Sequence, residues 1–184
     1  MKLIVGIGNP GRQYARARHN VGWMILDLLA ERHALASGHE RFEGLVVEGR
    51  LGAVPVALLR PLTYVNESGR SVVKAVAWYA LALEDVLVCC DDINLPLGQM
   101  RVRRSGSSGG HGGLTSIIER LSTEEFARLR VGVGRGPGES QVGHVLGRFS
   151  PGEAAEAKAA VERATEAVEV WARDGIEACM NAFN

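Results

Sequence analysis

The sequence predicts an α/β fold: one domain, residues 1–184, with a twisted mixed, largely parallel β-sheet flanked by helices on both faces. Two observations carry this. Short β-branched apolar runs alternate along the chain with segments of helical period. The 184 residues, 46% of them hydrophobic, suffice for one well-buried core.

Residues 2–7 (Lys-Leu-Ile-Val-Gly-Ile) read as a buried strand, stopped by the turn cluster Gly8-Asn9-Pro10-Gly11. From Asn20, a favoured N-cap type, Val21, Met24, Ile25, Leu28 and Leu29 recur at the spacing of a helix packed on one face. Two strands, 42–51 and 53–60, are expected around Gly52, followed by a helix over 67–81 that carries Val72, Val73, Val76 and Ala77 in register. Asp85–Cys90 is a further buried strand that ends in Asp91-Asp92. A basic strand, Gln99–Arg104, leads into the loop Ser105–Gly113 and a short helix, Leu114–Leu121; Arg128–Gly134 alternates like a strand. Ser150-Pro151-Gly152-Glu153 spells a capping box with Pro at the first helical position, ahead of an Ala-rich helix to about Arg173. Whether the segment around Ser140–Phe149 is a mobile flap stays open at this level.

The formal net charge is zero, from 21 basic and 21 acidic side chains, so a uniformly basic nucleic-acid binder is excluded. The balance is uneven. Residues 1–20 hold four basic and no acidic side chains, and 97–118 hold three and none, whereas 150–184 hold three against seven. A basic face on a neutral molecule follows if those segments converge. No apolar run is long enough to span a bilayer, and the apolar start at Leu3–Ile7 is too short for a signal peptide, so a cytoplasmic protein is expected. The three Cys lack any metal-ligand or disulfide spacing and read as core residues.

Two motifs fail on their context. Gly6-x-Gly8-x-x-Gly11 has the letters of a dinucleotide fingerprint, but Pro10 removes an amide where pyrophosphate would sit, and residues 12–18 offer no apolar helix face. Gly106-x-Ser108-x-Gly110 has the letters of a nucleophile elbow, but of the two later histidines His111 follows too closely to admit an acid between, and no convincing acid precedes His144. The five His form neither HxH nor HExxH, so no metal is expected.

What remains is a polar set where loops leave buried elements: Asn9 after the first strand, His19 before the first helix, Asn66 before the second, and Asp91 after Val88-Cys89-Cys90. Ligands of α/β sheets bind beyond the carboxyl ends of strands, where Asn9 and Asp91 lie. A His paired with an Asp is a general-base arrangement, and Asn amides position water or support an oxyanion without charge. Taken singly, each has an ordinary reading as a turn, cap or structural residue.

Lys2–Asn20 (KLIVGIGNPGRQYARARHN), Pro61–Gly69 (PLTYVNESG), Asp91–Gly98 (DDINLPLG) and Arg128–Gly134 (RLRVGVG) together resemble the bacterial peptidyl-tRNA hydrolase family, collinearly from Lys2 to the Trp171 region. The resemblance implies cleavage of the ester between peptide and tRNA by a cytosolic monomer without metal or cofactor. It implies His19 as general base with Asp91 as its partner. Asn66 would hold substrate and water, Asn9 would recognise the N-blocked aminoacyl group, and Tyr14 and Tyr64 would line the peptidyl and 3′-end site. Arg103 and Arg130 stand where family members place basic residues that grip tRNA. The chain departs from the family's pattern at Gly112, where a substrate-contacting Asn is common, and at Cys90 and Asn94. A non-catalytic RNA-binding relative of the same fold is the alternative, disfavoured because such a module need not keep His19 together with Asp91.

Overall fold

The computed structural model describes residues 1–15, 17–135 and 141–184. Its seven strands are β1 (Lys2–Gly6), β2 (His39–Arg41), β3 (Gly44–Leu51), β4 (Val54–Pro61), β5 (Val86–Asp92), β6 (Met100–Arg103) and β7 (Ala127–Gly132). They form one sheet in the order β2-β3-β4-β1-β5-β7-β6. The four central strands, β4, β1, β5 and β7, are mutually parallel, and antiparallel strands close both edges. The expected mixed, largely parallel sheet is therefore present.

The helices are α1 (Val21–Arg32), α2 (Ser68–Trp78), α3 (Gly112–Leu121), α4 (Gln141–Leu146), α5 (Ala154–Asp174) and α6 (Ile176–Phe183). Because strand side chains alternate, β1 and β5 supply both faces. Ile4, Leu87 and Cys89 pack with Ile25, Leu29, Val168 and Trp171 of α1 and α5. Leu3, Val5, Val88 and Cys90 pack with Val72, Ala75, Leu114 and Ile117 of α2 and α3. Such double coverage explains why all seven residues of β5 are buried. The three cysteines are free and buried, as their spacing indicated.

Four local expectations are corrected. Strand 42–51 is instead a hairpin, because Phe42 and Glu43 take positive φ (56° and 54°) and turn β2 into β3 without the usual Gly or Asn. The helix expected over 67–81 begins at Ser68, behind a 3-10 turn at Val65–Glu67, and stops at Trp78. Pro151 does not open a helix: residues 151–153 form a turn in which the Glu153 carboxylate accepts the Ser150 N–H at 2.8 Å, and α5 starts at Ala154. Asn20 does not cap α1 with its side chain, which is committed elsewhere. In the candidate flap, residue 140 lies outside the described residues, and 141–146 are the helix α4.

Two glycines of the opening motif, Gly6 and Gly8, and Gly22 of α1 have steric work rather than phosphate to serve. A Cβ on Gly6 would lie 2.4 Å from the Gly22 carbonyl oxygen, and one on Gly22 would lie 2.5 Å from that of Cys89. Side chains there would push α1 off the sheet. A Cβ on Gly8 would meet Asn20 Oδ1 at 2.9 Å.

Candidate active site

β4 and β5 lie on opposite sides of β1, so the chain reverses its direction of travel across the sheet there. A crevice opens at such a switch point, beyond the carboxyl ends of the strands. Asn9 follows β1 into it, whereas Asp91, expected after its strand, is the penultimate residue of β5. His19 arrives on the 3-10 turn Arg18–Asn20 that leads directly into α1.

His19 Nδ1 lies 2.5 Å from Asp91 Oδ1, and His111 Nε2 lies 2.9 Å from the same oxygen. The tautomers follow from the surroundings. His111 is the N-cap of α3, and its Nδ1 accepts the N–H groups of Gly113 (3.1 Å) and Leu114 (3.3 Å), so its proton is on Nε2 and is donated to Asp91. Burial works against ionisation of Asp91, but the charge and hydrogen bonds of His111 and His19 outweigh it and hold the carboxyl well below the usual carboxylate range. Facing a carboxylate, His19 Nδ1 must be the donor. Its Nε2 is then the unprotonated, basic nitrogen.

The amides are oriented by neighbouring backbone. Asn20, fully buried, accepts the Asn9 N–H at 2.8 Å through Oδ1 and donates Nδ2 to the Asn9 carbonyl at 3.0 Å. Asn9 Oδ1 in turn accepts the Val65 N–H at 2.9 Å, which leaves its Nδ2 as a donor for a ligand. Asn66, in the turn Val65–Glu67, is exposed and faces the start of α3: a Cβ on Gly112 would lie 3.8 Å from the Asn66 Cβ.

His19, Asp91, His111, Gly112, Arg130 and Val145 help to line a cavity of about 240 Å³. Tyr64, 61% exposed, lines a separate cleft with Pro10, Thr63 and Glu67. Tyr14 ends the 3-10 turn Arg12–Tyr14, half-buried, and lines neither space. Arg130 reaches the cavity, where Nη2 donates to the Ser108 carbonyl at 2.5 Å and Nη1 lies 3.5 Å from Asp92 Oδ2. Arg103 points outward from β6, with no acidic partner among the described residues and only its neighbour's carbonyl, Val102, at 3.4 Å. Arg104 is paired with Glu177.

Sequence reasoning missed three contributors. His111 carries no catalytic spacing; only its place before the Gly-Gly that opens α3 marks it. Asn20 was read as a cap. Arg128, on β7, is 1% exposed and donates to the carbonyls of Gly106, Ser107, Glu124 and Phe126, tethering the glycine-rich loop that ends at His111.

His19, Asp91 and His111 offer three ligand atoms within 4.8 Å of one another. A divalent cation fits them poorly. Coordination by His111 Nε2 requires the proton to move to Nδ1, where it would face the N–H groups of Gly113 and Leu114. The donor set suits proton transfer.

An imidazole hydrogen-bonded to a buried carboxylate and opening on a cavity at the switch point of an α/β sheet is the arrangement of a general base, and it defines the class as an α/β enzyme of acid–base chemistry. The family model described as peptidyl-tRNA hydrolase matches residues 3–184. The chain belongs to the peptidyl-tRNA hydrolase family. The peptidyl-tRNA hydrolase of Symbiobacterium thermophilum is 51% identical over 186 residues, which cover 100% of this chain and 98% of that one. That of Rhodopirellula baltica is 46% identical over 185 residues, covering 100% and 97%. The crystal structure of peptidyl-tRNA hydrolase from Acinetobacter baumannii matches with a TM-score of 0.93 at 35% identity, over 100% of this chain and 94% of that one. None of the described helices is long and apolar enough to cross a membrane.

Proposed function

We propose that this chain hydrolyses the ester joining a peptide, or an N-blocked aminoacyl group, to the 3′-terminal ribose of tRNA, acting as a cytoplasmic monomer without metal or cofactor. The observation that carries the reading is the shared oxygen of Asp91, which accepts from both imidazoles and turns the lone pair of His19 Nε2 toward a ligand. His19 takes a proton from water as the water oxygen attacks the ester carbonyl. Asp91 stabilises the imidazolium that forms. Asn66 and the free Nδ2 of Asn9 supply neutral donors to the substrate carbonyls and the developing oxyanion. Collapse of the tetrahedral species breaks the bond to the ribose oxygen, which takes the proton from His19. The products are a free tRNA hydroxyl and a peptide carboxylic acid, which gives its proton to solvent and becomes the carboxylate, and the imidazole is regenerated.

Arg103 and Arg130 would meet backbone phosphates of the acceptor arm, and Tyr14 and Tyr64 would flank the peptidyl and 3′-terminal groups. Gly112 contributes space where a side chain would contact substrate. The test is hydrolysis of an N-acetylated aminoacyl-tRNA by the wild type and by His19→Ala. Activity in the first and a loss of at least about 10²-fold in the second, with folding unchanged, is the expected result. Equal rates would remove His19 from the mechanism. Inactivity of both, with tRNA binding retained, would make the chain a binding module.

A further inference from the structure

The turn that carries His19 is fastened to a segment far along the chain. Ala17 forms an isolated antiparallel bridge with Arg148, and the Arg18 N–H donates to the Gly147 carbonyl at 2.9 Å. The Arg18 side chain is only 10% exposed. Its Nη2 lies 2.8 Å from Glu153 Oε2, its Nη1 reaches the His144 carbonyl at 3.4 Å, and its plane lies over the Phe149 ring at 5.4 Å. Glu153 also accepts the Ser150 N–H, so one carboxylate ties the turn ahead of α5 to the residue beside the base. Nε of Arg18 is buried without a partner among the described residues. A buried donor left unmade is unfavourable, so the placement of this guanidinium is a compromise in favour of its other contacts.

The segment that Arg18 holds includes α4, and α4 gives Val145 to the wall of the cavity that contains His19, Asp91 and His111. Thus the residue next to the base is bonded to the element that closes the base's cavity. We infer that Arg18, with Glu153 as its counterion, is a positioning residue that keeps the Val145 wall and the His19 turn in one register. Displacement of the wall moves the base, and displacement of the base opens the wall. This inference rests on the hydrolytic reading above and deepens it: the groups that Arg18 contacts, Gly147, His144, Phe149 and Glu153, do not themselves line the cavity.

The test is a double-mutant cycle on hydrolysis of N-acetylated aminoacyl-tRNA. Arg18→Met and Glu153→Gln each lower kcat by about 10- to 100-fold, the scale of a misplaced catalytic group, with a smaller change in KM. Arg18→Lys recovers part of the rate, since an ammonium reaches Glu153 but cannot also fork to the His144 carbonyl. Val145→Ala slows the wild type and has little further effect in the Arg18→Met background. A merely structural Arg18 would lower the melting temperature while leaving the Val145 effect undiminished. Additive effects, or an unchanged kcat in Glu153→Gln, would overturn the inference. Should Arg18→Met fail to fold, the same cycle with Glu153→Gln, which keeps the shape of the side chain, decides. An inactive wild type would instead overturn the hydrolytic reading itself.

Discussion

His111 Nε2 and His19 Nδ1 converge on one oxygen of Asp91, at 2.9 and 2.5 Å, with the imidazole rings 5.1 Å apart. The two histidines are not equivalent. His111 is locked by the backbone of α3, whereas no described protein group bonds His19 Nε2. In the proposed mechanism proton transfer therefore falls to His19, and His111 holds the carboxylate.

Two substitutions separate the roles of His111. His111→Asn keeps an oxygen that can cap α3 but is too short to reach Asp91. It is expected to lower kcat/KM about tenfold with at most about 1 kcal/mol lost from stability. His111→Ala removes the cap as well, and costs about 1 kcal/mol more. Urea unfolding alongside the hydrolysis assay distinguishes the two; an equal stability loss in both variants would show that the cap is dispensable.

Asp91 sets a pH dependence of known sign. Its folded-state carboxyl is held below the usual range, so its contribution to stability is fully present above the unfolded value, about 3.9, and is lost as pH falls through the folded value. Asp91→Asn should therefore shift acid unfolding while changing neutral-pH folding through lost pairing alone. The rate should fall by at least about 10²-fold, because an amide no longer enforces the Nδ1–H tautomer or stabilises the imidazolium. Urea unfolding measured as a function of pH, beside the hydrolysis rate of the variant at neutral pH, checks both; acid unfolding unchanged by Asp91→Asn, or a rate close to that of the wild type, would contradict them.

Much of the site was legible because chain ends of buried strands are readable: Asn9 and Asp91 follow apolar runs, and His19 precedes a helical period. What stayed hidden depends on contacts between distant segments. Asn20 has the composition of a cap, yet its amide matches the backbone of Asn9, eleven residues earlier, and only the packing of α1 on β1 brings them together. Arg128 reads only as the start of an alternating strand, but the fold buries its guanidinium against loop carbonyls. The Phe42-Glu43 turn has no Gly or Asn signal, because the aromatic contacts of Phe42 with Trp78 and Tyr79 come from another element. The resemblance supplied the residue roles that spacing left open.

Glycines at the site divide by what a Cβ would meet. At Gly69 it would lie 2.2 Å from the Ser116 carbonyl oxygen, where α2 and α3 touch, and at Gly113 it would lie 2.9 Å from Ile7. Gly69→Ala is expected to destabilise by about 2 kcal/mol or more, and Gly113→Ala by about 1–3 kcal/mol, since backbone and core must shift. At Gly112 it would meet only Asn66, at 3.8 and 4.0 Å, and φ is not positive. Gly112→Ala should keep the melting temperature, or raise it slightly by relieving helical entropy. Gly112→Asn should fold equally well and alter KM, as its amide would stand beside Asn66. Thermal unfolding of the three alanine variants tests the ranking directly.

Arg103 and Arg130 should affect tRNA binding differently because their surroundings differ. Arg103 is an outward arginine on an edge strand with no acidic partner among the described residues, so its charge is available to a phosphate. Arg103→Ala is expected to weaken tRNA binding and lower the slope of log K against log salt by about 1, with catalysis of bound substrate intact. Arg130 is already bonded to the Ser108 carbonyl and lies beside Asp92, and a Cβ on Gly109 would touch its guanidinium at 2.7 Å. Its removal leaves Asp92 without that cation and frees the loop that leads to His111. Arg130→Ala should therefore reduce kcat as well as affinity. Arg130→Lys, which keeps the charge but loses the fork, should restore more of the salt dependence than of the rate. Binding titrations at several salt concentrations, paired with single-turnover hydrolysis, separate the two: an Arg130→Ala enzyme with full kcat would reduce that residue to a phosphate contact, and an unchanged salt slope in Arg103→Ala would place the tRNA elsewhere.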